Sequence, residues 1–218
     1  MSKGNAMTPL WYEQYEKALT MLTSGVNYQE LLRARKEYSL LVGQITEDEA
    51  DYELRMNSFN DWYLFYYYSS VYKGRTIDVY LRESKASNEI IESFSALNYS
   101  IFEYQGEGTG GRKKFVDLLH GRKIKAAAKA ELPAIFEGDF FLGRTLVFDN
   151  EIYFLPGVSM LPKDVKNILL LECKRIQKLK SLRVEYGFLI RTEYFKTKWT
   201  RFDHIGAAKV FNYQYVTA

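Results

Sequence analysis

The stretch Gly106-Glu107-Gly108-Thr109-Gly110-Gly111, followed at once by Arg112-Lys113-Lys114, is the segment whose composition most directly suggests chemistry. Backbone amides in a glycine-rich loop can converge on a phosphate, and cations beside them add charge. The spacing is not that of a nucleotide-binding P-loop, which needs Lys-Ser/Thr after its last glycine and a helix behind it. It is not the dinucleotide fingerprint either, because a strand rather than a helix is predicted to follow. An equally economical reading is a hairpin tip with solvated charges. The basic theme continues downstream. Residues 112–129 hold seven Lys/Arg (Arg112, Lys113, Lys114, Arg122, Lys123, Lys125 and Lys129) against the single acid Asp117. Side chains alternate along a strand, so a hairpin here would place several of these cations on one face. Such a stripe neutralises phosphates and releases their counterions without reading sequence. Near the C-terminus, Lys196, Lys198, Trp199 and Arg201 interleave cations with an indole. That pairing suits stacking on exposed bases, at roughly 1–3 kcal/mol per base. The competing reading makes the rings core and the cations a solubilising surface.

Nucleophilic and metal chemistry have little to work with. The single cysteine, Cys173, is in helical register with Leu169 and Ile176 and is predicted to face the core. A nucleophilic thiol needs exposure and a nearby base. One Cys with two histidines, His120 and His204, excludes every Cys₄ or Cys₂His₂ zinc site. His120 is predicted in a turn. Asp203 and His204 are sequence neighbours, which rarely point at one another as a catalytic dyad must. The acidic run Glu47-Asp48-Glu49-Asp51-Glu53 is explained as a helix start, by capping and the helix dipole. No carboxylate pair has a spacing that singles it out for acid–base work. No cofactor and no metal are expected, and a non-enzyme is favoured.

The elements that must position the basic residues follow from periodicity and breakers. Thr8-Pro9 reads as a helix start, with Leu10, Trp11, Tyr15, Ala18, Leu19 and Leu22 at helical spacing until Ser24-Gly25. A second helix is predicted from Asn27 to Gly43. A third starts at the Thr46/Glu49 capping-box spacing and runs to about Tyr68. Residues 76–81 and 87–97 suggest two short helices. The pattern then changes. Strands are predicted at 100–104, 114–119, 122–128, 140–148 and 151–155, with turns at His120-Gly121, Gly138-Asp139 and Asp149-Asn150. After Pro162 one long helix is expected, its second half carrying Lys174, Arg175, Lys178, Lys180 and Arg183. Residues 184–218 alternate aromatic and basic types and are predicted as a β-rich tail.

The run Trp62-Tyr63-Leu64-Phe65-Tyr66-Tyr67-Tyr68 is apolar on every side of a helix, as expected of an element buried between neighbours. Its alternative is a groove for a protein partner.

At 218 residues, 47% hydrophobic and 26% charged, the composition is that of a folded globular chain. No apolar run approaches the roughly 20 residues needed to cross a bilayer, so no membrane insertion is expected. Residues 1–7 read as a leader without the apolar core of an export signal, and a cytoplasmic location is expected. Net charge is only +3, but residues 1–100 carry 10 Lys/Arg against 14 Asp/Glu, and residues 101–218 carry 20 against 13. The excess of positive charge lies in the predicted β half, which is suited to an anionic partner.

Three stretches, Phe59-Asn60-Asp61-Trp62-Tyr63, Asp117-Leu118-Leu119-His120-Gly121 and Gly138-Asp139-Phe140-Phe141-Leu142-Gly143-Arg144, resemble in order and spacing a group of uncharacterised bacterial proteins, many of which carry an added SEC-C zinc motif. The resemblance covers about residues 58–160 and implies a helical layer followed by a small β module. It implies no activity. The cysteine-rich zinc segment has no counterpart in this sequence.

The expected architecture is α+β. A helical region, 1–98, packs on a small antiparallel barrel or curled sheet, 99–160, followed by a long helix and β-rich tail, 161–218. The expected role is a non-enzymatic binding module whose basic residues Arg112, Lys113, Lys114, Arg122, Lys123, Lys125, Lys196, Lys198, Trp199 and Arg201 contact RNA, DNA or another polyanion. The alternative is a protein-interaction module using its aromatic surface.

Overall fold

Helical periodicity organises the first part of the chain in the computed structural model, which describes residues 8–128, 132–202 and 204–213. Helix α1 (Leu10–Leu22) buries Trp11, Tyr15, Ala18 and Leu22, one stripe at three- and four-residue spacing. Pro9 is the N-cap of α1, with extended backbone, rather than its first helical residue. Helix α2 (Tyr28–Val42) ends where Gly43 takes φ 89°. Helix α3 (Tyr52–Phe65) starts later than the Thr46/Glu49 spacing suggested. Thr46 Oγ1 donates to the Glu49 carboxylate at 3.3 Å instead of capping an amide, and Glu49 is also bound by Arg55. Strands β1 (Tyr68–Ser69) and β2 (Gly74–Arg75) form a short ribbon ahead of α4 (Thr76–Glu83) and α5 (Asn88–Ser95). Ser87 caps α5 by accepting the Ile90 N–H.

The β region comprises β3 (Asn98–Glu107), β4 (Lys113–Asp117), β5 (Arg122–Lys125), β6 (Phe140–Phe148), β7 (Glu151–Phe154) and β8 (Ser159–Met160). Five strands lie in the order β5-β4-β3-β6-β7, each antiparallel to its neighbours, and β8 adds to β6. With an odd number of alternating strands, the two outermost run the same way. They meet in a single parallel bridge, Ala126 to Ile152, with the Ala127 N–H on the Ile152 carbonyl at 2.8 Å. The sheet is therefore curled almost into a barrel. Its interior holds Phe102, Tyr104, Phe115, Ala126, Phe141, Phe154 and Val158. The alternate residues Tyr99, Ile101, Phe140, Leu142 and Leu146 face outward and join the main core with the helices. The period-2 alternation thus serves two cores at once.

The chain closes with α6 (Lys166–Leu179), α7 (Leu182–Arg201) and α8 (Ala207–Val210). The fold is α+β, as the sequence predicts, but the C-terminal segment is helical where a β-rich tail was expected. Phe188, Thr192 and Phe195 are buried at i, i+4 and i+7, and this stripe overrides the local aromatic–basic alternation. The expected single long helix is two helices, broken at Lys180 with φ 47°. Among the described residues no helix is long and apolar enough to cross a membrane.

Candidate functional site

Three of the basic residues singled out in the sequence lie on the outer face of the β4–β5 hairpin. The register pairs Lys114 with Lys125 and Val116 with Lys123. Phe115 and Ile124 turn into the barrel, so Lys114, Lys123 and Lys125 stand on the opposite, outer face. Helices cover that face over β3 and β6 and stop short of β5, whose Lys123 and Lys125 are exposed. Lys114 and Lys125 are cross-strand partners, where like charges oppose each other directly. Among the described residues no carboxylate lies within ion-pair distance of Lys114, Lys123 or Lys125. Lys113, half-buried, opposes Glu107 in the β3–β4 register.

The remaining expected residues are tied up elsewhere. Arg112 is bound by Glu151, and Arg122 donates to Asp117 at 3.0 Å. Lys196 is buried against Asp51, and burial pushes its amine down to about 8. Trp199 is half-buried on the main core, and Arg201 is held by the Gln44 carbonyl beside Glu49. Lys198 is exposed, but it sits near the far end of α7. His120, at the hairpin turn, faces Glu185 near the start of α7. At 1.5 Å per residue, Lys198 is ~20 Å further along that axis. The tail residues Lys196, Lys198, Trp199 and Arg201 therefore do not extend the hairpin's basic face: α7 carries Lys196 and Arg201 to the segment between α2 and α3, Trp199 to the main core and Lys198 to solvent at its far end. The glycine-rich loop closes on itself, the Gly108 N–H bonding the Arg112 carbonyl at 2.7 Å, and no α-helix follows it. Lys129 and Asp203 fall outside the described residues.

The hairpin turn carries the most ordered titratable cluster. Asp117 is fully buried and accepts from Ser100, Asn98 (3.1 Å), the His120 amide (3.0 Å), His120 Nδ1 (2.9 Å) and Arg122. Burial pushes its carboxyl up, but the bonds from His120 and Ser100 outweigh that and hold it well below the usual carboxylate range. The bond to Asp117 raises the His120 imidazole, against the effect of burial. His120 Nε2 lies 3.6 Å from Glu185, so the ring bridges hairpin and α7. Burial pushes the Cys173 thiol up to about 12, leaving no thiolate at neutral pH. Among the described residues no group of three His, Cys, Asp or Glu is placed to hold a metal.

A second polar cluster, which charge counting along the sequence missed, is sealed between the helices and the sheet. Arg144 of β6 is 1% exposed, its guanidinium 4.0 Å from the Tyr99 ring centre and 5.3 Å from that of Tyr66. Its Nε and one Nη have no hydrogen-bond partner. Asp61 of α3 accepts from the Tyr15 hydroxyl at 2.7 Å and the Gly157 N–H at 2.9 Å. Glu193 of α7 accepts from Tyr38 and, at 3.1 Å, from Tyr99. Burial pushes the Asp61 carboxyl up to about 6, with Arg144 pulling the other way. Asp61, Asp117, Asp139 and Arg144 all sit in the three stretches that carry the sequence resemblance, and all are buried. Those stretches thus mark the polar joints of the fold.

Comparison with models of known families, with curated proteins and with solved structures gives no match.

Proposed function

We propose that this protein is a non-enzymatic nucleic-acid-binding module that engages the sugar–phosphate backbone through the outer face of its β4–β5 hairpin. The observation that carries the reading is the set Lys114, Lys123 and Lys125 on one outer face, Lys123 and Lys125 exposed and Lys114 half-buried directly across from Lys125. Like charges opposed across a pair of strands destabilise the hairpin when nothing lies between them. A phosphate bound there relieves the repulsion and releases counterions. Lys113, in phase with Phe115 and opposite Glu107, lies on the other side of the strand and is not part of the face. Arg112 and Arg122, held by Glu151 and Asp117, frame it without adding free charge. The reading places the site on the barrel alone, narrower than the sequence suggested. The protein-interaction alternative has less support: of the aromatic run 62–68 only Tyr68 is exposed, and the other rings are buried or half-buried.

The test is fluorescence anisotropy of a labelled oligonucleotide titrated with protein over a range of salt. The triple variant K114Q/K123Q/K125Q removes three charges from the outer face and leaves the barrel interior intact. Binding is expected to weaken, and the slope of log K against log salt to flatten by about 2, at ~0.7 per phosphate contact on a single strand. Equal affinity and equal slope in the two proteins, or no binding by the unaltered protein at low salt, overturns the proposal.

A further inference from the structure

We infer that the nucleic acid taken by this protein is single-stranded, with an unpaired base stacking on Phe136. The inference rests on the reading of the lysine face given above and adds the class of strand.

Phe136 lies on the barrel rim where β3 ends, β4 begins and β6 starts. The segment is fastened there: the Gly138 N–H bonds the Tyr104 carbonyl at 2.9 Å, and the Tyr104 N–H bonds the Asp139 carbonyl at 2.9 Å. The Glu137 carboxylate sits over Gly106, where an added Cβ would come within 3.1 Å of it. The stem of Lys114 lies along Gly108 on the same rim, its Cε 3.2 Å from where a Cβ of Gly108 would stand. Lys125, opposite Lys114, ends β5 at this rim as well. The phenyl ring therefore shares one end of the barrel with Lys114 and Lys125, while Lys123 stands two residues further along β5, towards the hairpin turn.

The ring is 73% exposed in a protein whose other phenylalanines are mostly buried. The backbone that carries it is held in place. The Phe136 N–H donates to Asp139 Oδ2 at 2.7 Å, the Asp139 N–H returns to the Phe136 carbonyl at 2.9 Å, and Lys163 pins the other Asp139 oxygen at 2.8 Å. A closed turn that keeps a large apolar ring in water offers a platform already ordered for a flat partner. Nucleobases are such partners, and every base has a π-face, so stacking needs no particular sequence. In a duplex those faces are buried in the stack. Glu107 and Glu137 also stand on this rim and repel phosphate. The backbone therefore tracks the Lys123–Lys125–Lys114 line, and only a base reaches the ring.

The experiment compares a labelled oligothymidylate with the same strand annealed to oligoadenylate, using the unaltered protein, F136A, F136W and K114Q/K123Q/K125Q. The unaltered protein is expected to prefer the single strand. F136A should lose roughly tenfold in affinity for the single strand, the loss of one stacked base. Its duplex affinity should not change, and F136W should restore single-strand binding. If F136A binds the single strand as tightly as the unaltered protein, or if the duplex is preferred, the single-strand inference falls. A dependence on the lysines in that same experiment leaves the backbone reading standing. If the lysine variant is also without effect, or nothing binds, both fall.

Discussion

A Cβ added to Gly157 would stand 2.4 Å from Oδ2 of Asp61, 2.6 Å from the Ser58 Cα and 2.8 Å from the Ser58 nitrogen. Two of those atoms are α3 backbone and cannot step aside. Gly157→Ala must therefore push the segment after β7 off α3 and break the amide bond to Asp61. The combined overpacking and lost charge-assisted bond should cost about 2–4 kcal/mol, read as a lower midpoint in urea. Gly187, inside α7 with nothing within 4 Å of an added Cβ, is the matched control. Gly187→Ala should raise stability by roughly 0.5–1 kcal/mol, since alanine is the better helix former. At His120 the prediction concerns pH. The bond to Asp117 raises the folded imidazole above its ordinary value of about 6.5. The folded state thus holds the proton more tightly than the unfolded one. The stabilisation is fully present below about pH 6.5 and is lost as pH rises through the folded value. Asp117, whose carboxyl is held low, loses its contribution only in strong acid, so it does not interfere. The margin by which the unaltered protein outlasts H120Q in urea should shrink as pH is raised from about 6 through neutrality into the mildly alkaline range. Parallel midpoints across that range would remove the charged His120 bridge.

Among the elements, those whose turns need unusual backbone were the most legible. Asp149 and Asn150, between β6 and β7, take φ 50° and 57°, the pair of left-handed residues that a two-residue hairpin turn demands. Both types tolerate that region, so Asp-Asn after a β-rich run announced the hairpin. Asn150→Gly should raise the melting temperature, and Asn150→Val should lower stability by roughly 1–2 kcal/mol, the cost of a branched side chain in left-handed backbone. The β4–β5 hairpin was read from Gly121, which takes φ 66°. α7 was misread because its aromatic and basic residues alternate locally, while the stripe that decides it (Phe188, Thr192, Phe195) shows only over several turns. The late start of α3 has the same character: Thr46 and Glu49 have the right spacing, but Arg55 claims Glu49 first. The candidate site was legible in half. Strand alternation is a local property, so a shared lysine face could be foreseen. Which cations are neutralised is not local: Glu151 reaches Arg112 and Asp51 reaches Lys196 only after the chain has folded.

On the scale of the whole molecule, Arg144 is where helices and sheet are joined. It projects from β6 towards Asp61 of α3 and Glu193 of α7, with Tyr99 of β3 and Tyr66 beneath it. Burial works against the charged guanidinium, but the Tyr99, Asp61 and Glu193 groups around it outweigh that and hold its proton more tightly than usual. One cation thus offsets part of the charge of two buried carboxylates. Two of its donor nitrogens are unsatisfied, at a cost of about 1–3 kcal/mol each. Arg144→Met relieves that cost and keeps the volume, yet it leaves both carboxylates buried without a counter-charge. Breaking a buried pair in this way typically costs about 3–5 kcal/mol. The two effects oppose and are of similar size, so the net change at neutral pH is expected to be small and the pH dependence is the readout that separates them. The variant should also show a steeper pH dependence than the unaltered protein, whose raised Asp61 already takes up a proton on folding in this range. Burial already pushes the Asp61 carboxyl up to about 6, and Arg144 is the principal group opposing that push. Without Arg144, Asp61 must rise further above its unfolded value of about 3.9. The folded variant then binds a proton that its unfolded chain does not, so its stability climbs as pH falls from about 7.5 to 5.5. Urea midpoints of R144M measured at those two values, against the unaltered protein, decide the matter. A midpoint for R144M that stays constant or drops on acidification would mean that the arginine neutralises neither carboxylate. The seating of the helices on the sheet would then owe nothing to the charge of Arg144.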